Sequence, residues 1–287
     1  MKRKIRTFSG TRSSEVSQRE LTNRAAARRA AAEGIVLLKN DGILPLKREE
    51  KVALFGAGAG RTIKGGTGSG DVNEREVVSV YQGLVNAGIT VTSKDWVDSF
   101  EQIYLQSRED WKNLIIAEVN AGEETGVMEN FFQVYASHAY TMPDGRAITT
   151  TDIDGAETAV YVVSRVAGEG ADRFHEAGDY YLTEHEKEDL KFLSENCESL
   201  IVILNVGAQM DVNDLLAIPN LKAMLYIAQP GMEGGNALAD ILTGAVTPSG
   251  KLTDTWAVNY SDFPNSETFS HNNGDVNTEK YEEGLYV

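Results

Sequence analysis

Unbroken apolar runs recur along this chain, and most give way to glycine or to polar, turn-forming residues before a segment of helical spacing. Lys51-Val52-Ala53-Leu54-Phe55, residues 158–164, 199–205 and 222–228 read as strands. Short continuous runs of this kind suit strands buried on both faces, as in a parallel sheet. Residues 89–92 predict a shorter strand. Helical spacing predicts helices near 17–39, 75–87, 96–120, 127–137, 183–196 and 232–243, with Asn40-Asp41-Gly42 stopping the first. Strands alternating with helices of this length imply an α/β fold: a three-layer sandwich, its mainly parallel sheet of about six strands covered by helices on both faces.

Residues 1–16 read as a flexible basic lead and 17–287 as one domain, with 95–150 an insertion-like helical elaboration. No linker or repeat divides the chain, and the tail after Trp256 is polar and irregular. Residues 1–30 carry nine Lys/Arg against two Glu, so the overall charge of −16 leaves −23 on the remainder. That balance argues against nucleic acid or an anionic membrane as partner. Cys197 is the only cysteine, which excludes an intramolecular disulfide. No apolar stretch follows Met1-Lys2-Arg3-Lys4, because Arg6 and Arg12 interrupt it, and a cytoplasmic protein is expected.

Residues 56–71 form a glycine-rich loop between a strand and a helix, the setting of a nucleotide site. The dinucleotide register fails at Arg61 or at Asp71, and no Gly-Lys-Ser/Thr is present. Asp152 and Asp154 lack the spacing of a calcium loop and suit helix capping or a turn. The four histidines, His138, His175, His185 and His271, lack zinc spacing, so neither metal nor cofactor is expected.

Glu169 holds the most informative position. It sits in Gly168-Glu169-Gly170-Ala171-Asp172-Arg173, just beyond the run Ala159–Val163. Ligands of open α/β sheets collect beyond the carboxyl ends of strands, and flanking glycines permit close approach. A carboxylate there suits general acid/base work; the competing reading is a solvated Glu paired with Arg173. Glu233 is the runner-up carboxylate. Its place in the first turn of a helix favours the charged form, which suits a structural role better than proton donation.

The Glu169 loop, taken with residues 33–40, Gly65–Gly70, Pro230-Gly231-Met232-Glu233-Gly234-Gly235-Asn236 and Pro248-Ser249-Gly250-Lys251-Leu252, resembles the sandwich domain of family 3 glycoside hydrolases, the β-glucosidases and their relatives. The blocks occur in the family's order across roughly residues 20–287. The resemblance implies a retaining hydrolase of terminal β-linked sugars. Glu169 corresponds to the general acid/base, and the nucleophile is expected on a (β/α)8 barrel that this chain lacks. The implied partners are a β-linked oligosaccharide or glycoside and that barrel; a surface left bare of it is expected to favour a homodimer at high concentration. Lys64 and Ser69 are expected near substrate, Asp172 and Arg173 as supports of the Glu169 loop, and His175 either near the sugar or facing solvent. Asp95-Trp96 mimics the family nucleophile, but between a strand and a helix Asp95 reads as an N-cap. A start at Met1 suits the family order with the sandwich ahead of the barrel. The chain alone is then expected to be inactive. Two other classes remain open: a stand-alone carbohydrate-binding or regulatory module, and a nucleotide-dependent α/β enzyme.

Overall fold

Two strands, every residue of which is buried or nearly so, form the middle of the sheet and set its direction. The structure, a computed structural model, describes residues 14–48, 50–70, 72, 74–121, 127–138, 140–166, 173–268 and 278. Most of the basic lead, His271 and the closing segment 281–287 lie outside them. Among the described residues the elements run α1 (Gln18–Gly34), β1 (Val36–Asn40), β2 (Lys51–Phe55), α2 (Val80–Asn86), β3 (Thr90–Val91), α3 (Lys94–Ala121), α4 (Val127–Ser137), α5 (Thr150–Ile153), β4 (Thr158–Arg165), α6 (Glu184–Asn196), β5 (Ser199–Val206), α7 (Asn213–Leu216), β6 (Leu221–Tyr226) and α8 (Gly234–Leu242).

The strands form one sheet in the order β1-β6-β5-β4-β2-β3. β4 and β5 pair in parallel from Thr158↔Ser199 to Arg165↔Val206, and β2, β3 and β6 run the same way. β1 alone is antiparallel, on β6. Helices lie on both faces of this sheet, making the three-layer α/β sandwich that the apolar runs predict. The side chains of Val160, Val162, Leu200, Ile201, Val202 and Ile203 are fully buried. Each such side chain contributes about 1.5–3 kcal/mol by leaving water.

Three boundaries differ from the sequence expectation. The first helix ends at Gly34 rather than near Lys39, because Ile35 caps it and Val36–Asn40 pairs with β6 instead of continuing the coil. A four-residue apolar run fits either period, and the sheet edge decides it. The second helix begins at Val80, where Ser79 caps it by accepting from the Gln82 N–H at 3.2 Å. Asp95 is not an N-cap: α3 starts at Lys94 and Asp95 lies inside its first turn. Ser93, just before the helix, instead ties α3 to β2, its hydroxyl bonding both the N–H and the carbonyl of Leu54 at 2.7 Å.

α1 has little apolar surface to bury and docks by charge. Arg28 makes two 2.6 Å bonds to Asp240 of α8, and Arg24 reaches the buried Glu233 at 2.5 Å. α2 and α8 cross at closest backbone range: a Cβ on Gly235 would stand 1.9 Å from the Ser79 carbonyl, and one on Gly83 2.0 Å from that of Gly235. Trp96, 1% exposed, anchors α3 to the sheet through edge contact with Phe55 at 5.4 Å and stacking on Phe100 at 5.8 Å. Asp152 fixes the start of α5 with a capping box to Thr149 and an ion pair to Arg146. That guanidinium holds its carboxyl down at about 2.

Candidate functional site at the carboxyl edge of the sheet

All the parallel strands point to one rim, and their exits are tied together by buried polar groups. Asn205, near the end of β5 and fully buried, is the hub. Its Oδ1 accepts from the Ile63 N–H at 2.6 Å, while its Nδ2 donates to the carbonyls of Ile63 at 2.9 Å and Ala228 at 2.7 Å. The Ser164 hydroxyl donates to the same Oδ1 at 3.2 Å. One side chain therefore joins the loop after β2, the end of β4 and the turn after β6. Ala228 holds a left-handed φ of 49° in that turn, which costs a non-glycine residue about 1 kcal/mol or more and persists where the surroundings fix it.

The glycines of the loop after β2 serve packing. A Cβ on Gly56 would lie 2.4 Å from the Val162 carbonyl, and one on Gly58 2.2 Å from the Ser164 hydroxyl. The loop can lie this close to β4 only because both positions lack a side chain.

Arg165 closes the next layer. It makes a bidentate pair with Glu186, both bonds 2.7 Å, and donates to the carbonyls of Asp179 and Tyr181 at 3.1 Å. The pair is almost fully buried, and its hydrogen bonds brace residues 173–182 against β4. Beside it, Asp189 accepts from the buried Tyr161 hydroxyl at 3.1 Å and lies 3.6 Å from His185 Nε2. Burial raises Asp189 to about 6, with Glu186 and Asp144 adding repulsion and His185 opposing it. Burial likewise raises the Tyr161 phenol.

These exits surround an open cleft of about 2220 Å³. An enclosed small-molecule pocket holds roughly 300–1,000 Å³, so this space is larger and more open than such a pocket. An aromatic group lies on it: His175 stacks on Tyr260 at 3.7 Å, Tyr180 meets Tyr260 edge-on at 5.1 Å, and His175 Nε2 lies 2.5 Å from the Tyr181 hydroxyl. Burial pushes the Tyr180 phenol up to about 12. Among the described residues, no three His, Cys, Asp or Glu side chains converge as a metal-ligand set.

Glu169 and Asp172 lie in 167–172, outside the described residues. The described residues on either side, Val166 and Arg173, both line the cleft, as do Lys64 and Gly65–Gly68. Lys64 forms an ion pair with Glu74, and Ser69 lies in a short 3-10 turn, Gly68–Gly70. Arg173 pairs with Asp179 and donates to the Gln209 carbonyl at 2.7 Å. Among the described residues Arg173 is thus tied to Asp179 and Gln209. His175 is exposed by area but sandwiched into the aromatic group. Glu233 stands apart, with Arg24 on one oxygen and the Asn236 amide on the other at 2.7 Å.

Asn205, Arg165, Glu186, Asp189 and Tyr260 were not singled out from sequence. A signal exists for two of them: Asn205 and Arg165 are polar residues near the ends of otherwise apolar runs.

The fold and cleft define an open α/β sandwich domain whose carboxyl rim lines a wide cleft. The chain matches the description "Glycosyl hydrolase family 3 C-terminal domain" over residues 35–287 and belongs to that family. Beta-glucosidase A of Butyrivibrio fibrisolvens is 33% identical over 281 residues, covering 90% of this chain and 31% of that protein. The beta-glucosidase of Ruminococcus albus is 31% identical, covering 89% and 25%. Among solved structures, beta-glucosidase 3B from Thermotoga neapolitana in complex with glucose superposes with a TM-score of 0.66 at 32% identity, covering 88% of this chain and 33% of that one. A beta-glucosidase from Paenibacillus barengoltzii gives 0.70 at 31%, covering 86% and 25%. This chain therefore spans between a quarter and a third of the length of these relatives. No helix among the described residues is long and apolar enough to cross a membrane.

Proposed function

We propose that this chain is the sandwich domain of a retaining β-glycosidase acting on terminal β-linked sugars, with Glu169 as its general acid/base. The observation that carries the proposal is the open cleft at the carboxyl rim, with Val166 and Arg173 on its wall, in a chain belonging to a family of glycosyl hydrolases. In the first half-reaction the nucleophile of the barrel attacks the anomeric carbon while the Glu169 carboxyl protonates the departing oxygen. In the second, the Glu169 carboxylate takes a proton from water as it displaces the enzyme carboxylate. Retention requires the two carboxyls about 5–5.5 Å apart, so the barrel must close over this rim. The braces on Arg165 and Arg173 then position the wall from which Glu169 works, with Asp172 supporting its loop and Lys64, Ser69 and His175 beside the substrate. The enzyme serves carbohydrate metabolism in the cytoplasm, and the isolated domain dimerises at high concentration through its bare rim.

The test is Glu169→Gln in the complete enzyme. Hydrolysis of glycosides with poor leaving groups falls far more than that of activated aryl glycosides, which need little protonation, and azide partly restores the second step because a small anion needs no general base. Equal losses on both substrate classes without azide rescue would return Glu233 to contention or leave Glu169 structural. The isolated chain folds yet turns over no aryl β-glucoside, since half of the carboxylate pair is elsewhere.

A further inference from the structure

The outer wall of the cleft, built by α3, α4 and the segment that follows, is aromatic and cationic. Arg61 Cζ lies 4.6 Å from the Tyr104 ring centre, and Tyr104 meets Tyr140 edge-on at 6.1 Å. Arg108 Cζ lies 4.4 Å from the Tyr140 ring and 4.7 Å from that of Trp111. Trp111 in turn meets Tyr135 at 5.6 Å. The rings are pinned: Trp111 Nε1 donates to the His138 carbonyl at 2.6 Å, and the Tyr140 hydroxyl donates to Ser107 at 3.3 Å. Arg61, Tyr104, Arg108, Tyr135 and Tyr140 line the same cleft as the rim loops.

The cations of this cleft are not equivalent. Arg61 pairs with Glu101, Lys64 with Glu74, Arg165 with Glu186 and Arg173 with Asp179. Among the described residues Arg108 has no carboxylate partner. Its acidic neighbours on α3 are engaged elsewhere, Glu109 with Lys112 and Asp110 with Gln106. Lys251 also lines the cleft without such a partner, but it is exposed and makes no ring contact. A guanidinium held against two π-faces keeps its planar N–H edges for an incoming group with two in-plane oxygens, and it is weakly hydrated enough to use them. In a chain of net charge −16, an unneutralised, pre-positioned cation facing a cleft marks an anion-reading point.

We infer that Arg108 recognises a carboxylate carried by the leaving group of the substrate, either a carboxyphenol or a uronic acid beyond the scissile bond. The inference rests on the β-glycosidase reading for its turnover arm and is independent of it for its binding arm.

In the binding arm, this chain is titrated with 4-hydroxybenzoate and with 4-hydroxybenzamide by tryptophan fluorescence, Trp111 being part of the wall. The carboxylate binds about tenfold tighter or more than the amide, as a charge-assisted pair requires, and Arg108→Gln abolishes that preference while Arg108→Lys keeps part of it. In the turnover arm, the complete enzyme is assayed on 4-carboxyphenyl and 4-carbamoylphenyl β-glucosides and on glucosyl-β-glucuronate beside cellobiose. Arg108→Gln lowers kcat/KM about tenfold on whichever acidic substrate is read and leaves its neutral counterpart unchanged. The acidic substrate that responds identifies the source of the carboxylate. Equal binding of acid and amide by the chain, absence of binding by either, or an equal loss on acidic and neutral glucosides would overturn the assignment. If no glucoside is turned over while the carboxylate preference in binding survives, the glycosidase reading and with it the leaving-group assignment fail, and Arg108 stands as a carboxylate-binding residue only.

Discussion

Replacing Asn205 by leucine tests whether one side chain holds the rim together. The substitution roughly keeps the side-chain volume in a fully buried site but strips three backbone groups of their partner: the N–H and carbonyl of Ile63 and the carbonyl of Ala228. It also takes the acceptor from the Ser164 hydroxyl, whose 3.2 Å bond is the longest of the four and whose proton is free to rotate. An unmet buried polar group costs about 1–3 kcal/mol. Ile63 and Ala228 are half-buried, so water partly serves them and the low end applies, about 3 kcal/mol in all. The added apolar surface returns about 1 kcal/mol at most, leaving a net loss of about 2–3 kcal/mol. That is a large fraction of the roughly 5–15 kcal/mol of a typical domain. Urea unfolding reads it as a lower midpoint at unchanged slope. Hydrogen exchange separates the local effect from the global one: the Ile63 amide accelerates by more than the loss of global stability predicts, while the Val202 amide in mid-strand follows that loss alone. A loss under about 0.5 kcal/mol together with unchanged Ile63 protection would refute the hub.

Gly235→Ala drives a methyl to 1.9 Å from the Ser79 carbonyl and forces α2 and α8 apart, so the melting temperature drops with a loss of about 3 kcal/mol or more. A variant melting with the parent would show that the crossing yields freely. Asp189→Asn concerns pH. Burial raises this carboxyl to about 6 in the folded chain against roughly 3.9 unfolded, so the folded state binds its proton more tightly. Its contribution to stability is therefore fully present below about pH 4, falls as pH rises to about 6 and is level above that. The asparagine variant removes that slope: it exceeds the parent in urea midpoint at pH 7 and approaches it at pH 4, and an equal gap at both pH values would contradict the sign.

The fold was legible because burial on both faces writes itself as unbroken apolar runs, as at 159–163 and 200–204. The first helix overran because the apolar run at Ile35–Leu38 carries no period of its own, and only the pairing of Val36–Asn40 with β6 makes a strand there. Two of the blocks that carried the family resemblance prove to be packing devices. Gly235 lets α8 touch α2, and Gly234 sits against the Pro230 ring. Gly250 passes the Gly34 and Ile35 carbonyls where a Cβ would stand 2.5–2.6 Å away. Of the candidate site, the sequence marks residues that advertise chemistry through their neighbours, as Arg173 does beside Glu169. Asn205, Arg165 and Arg108 act through partners 14 to 142 positions away in sequence, or through rings contributed by different segments. No local pattern records such meetings.

The short, reversed strand at one side of the sheet has a consequence for the chain on its own. A sheet with open sides recruits further strands, and parallel strands of eight residues would make a long template. Here one side finishes in β3, two residues long, and the other in β1, which is interrupted by a shift in register between Leu37 and Lys39. At the start of β1, the Gly250 N–H already occupies the Ile35 carbonyl at 3.1 Å. Among the described residues neither margin offers an invading strand a run of free, evenly spaced backbone groups, so these edges are guarded against β-type self-association while the cleft at the rim stays open.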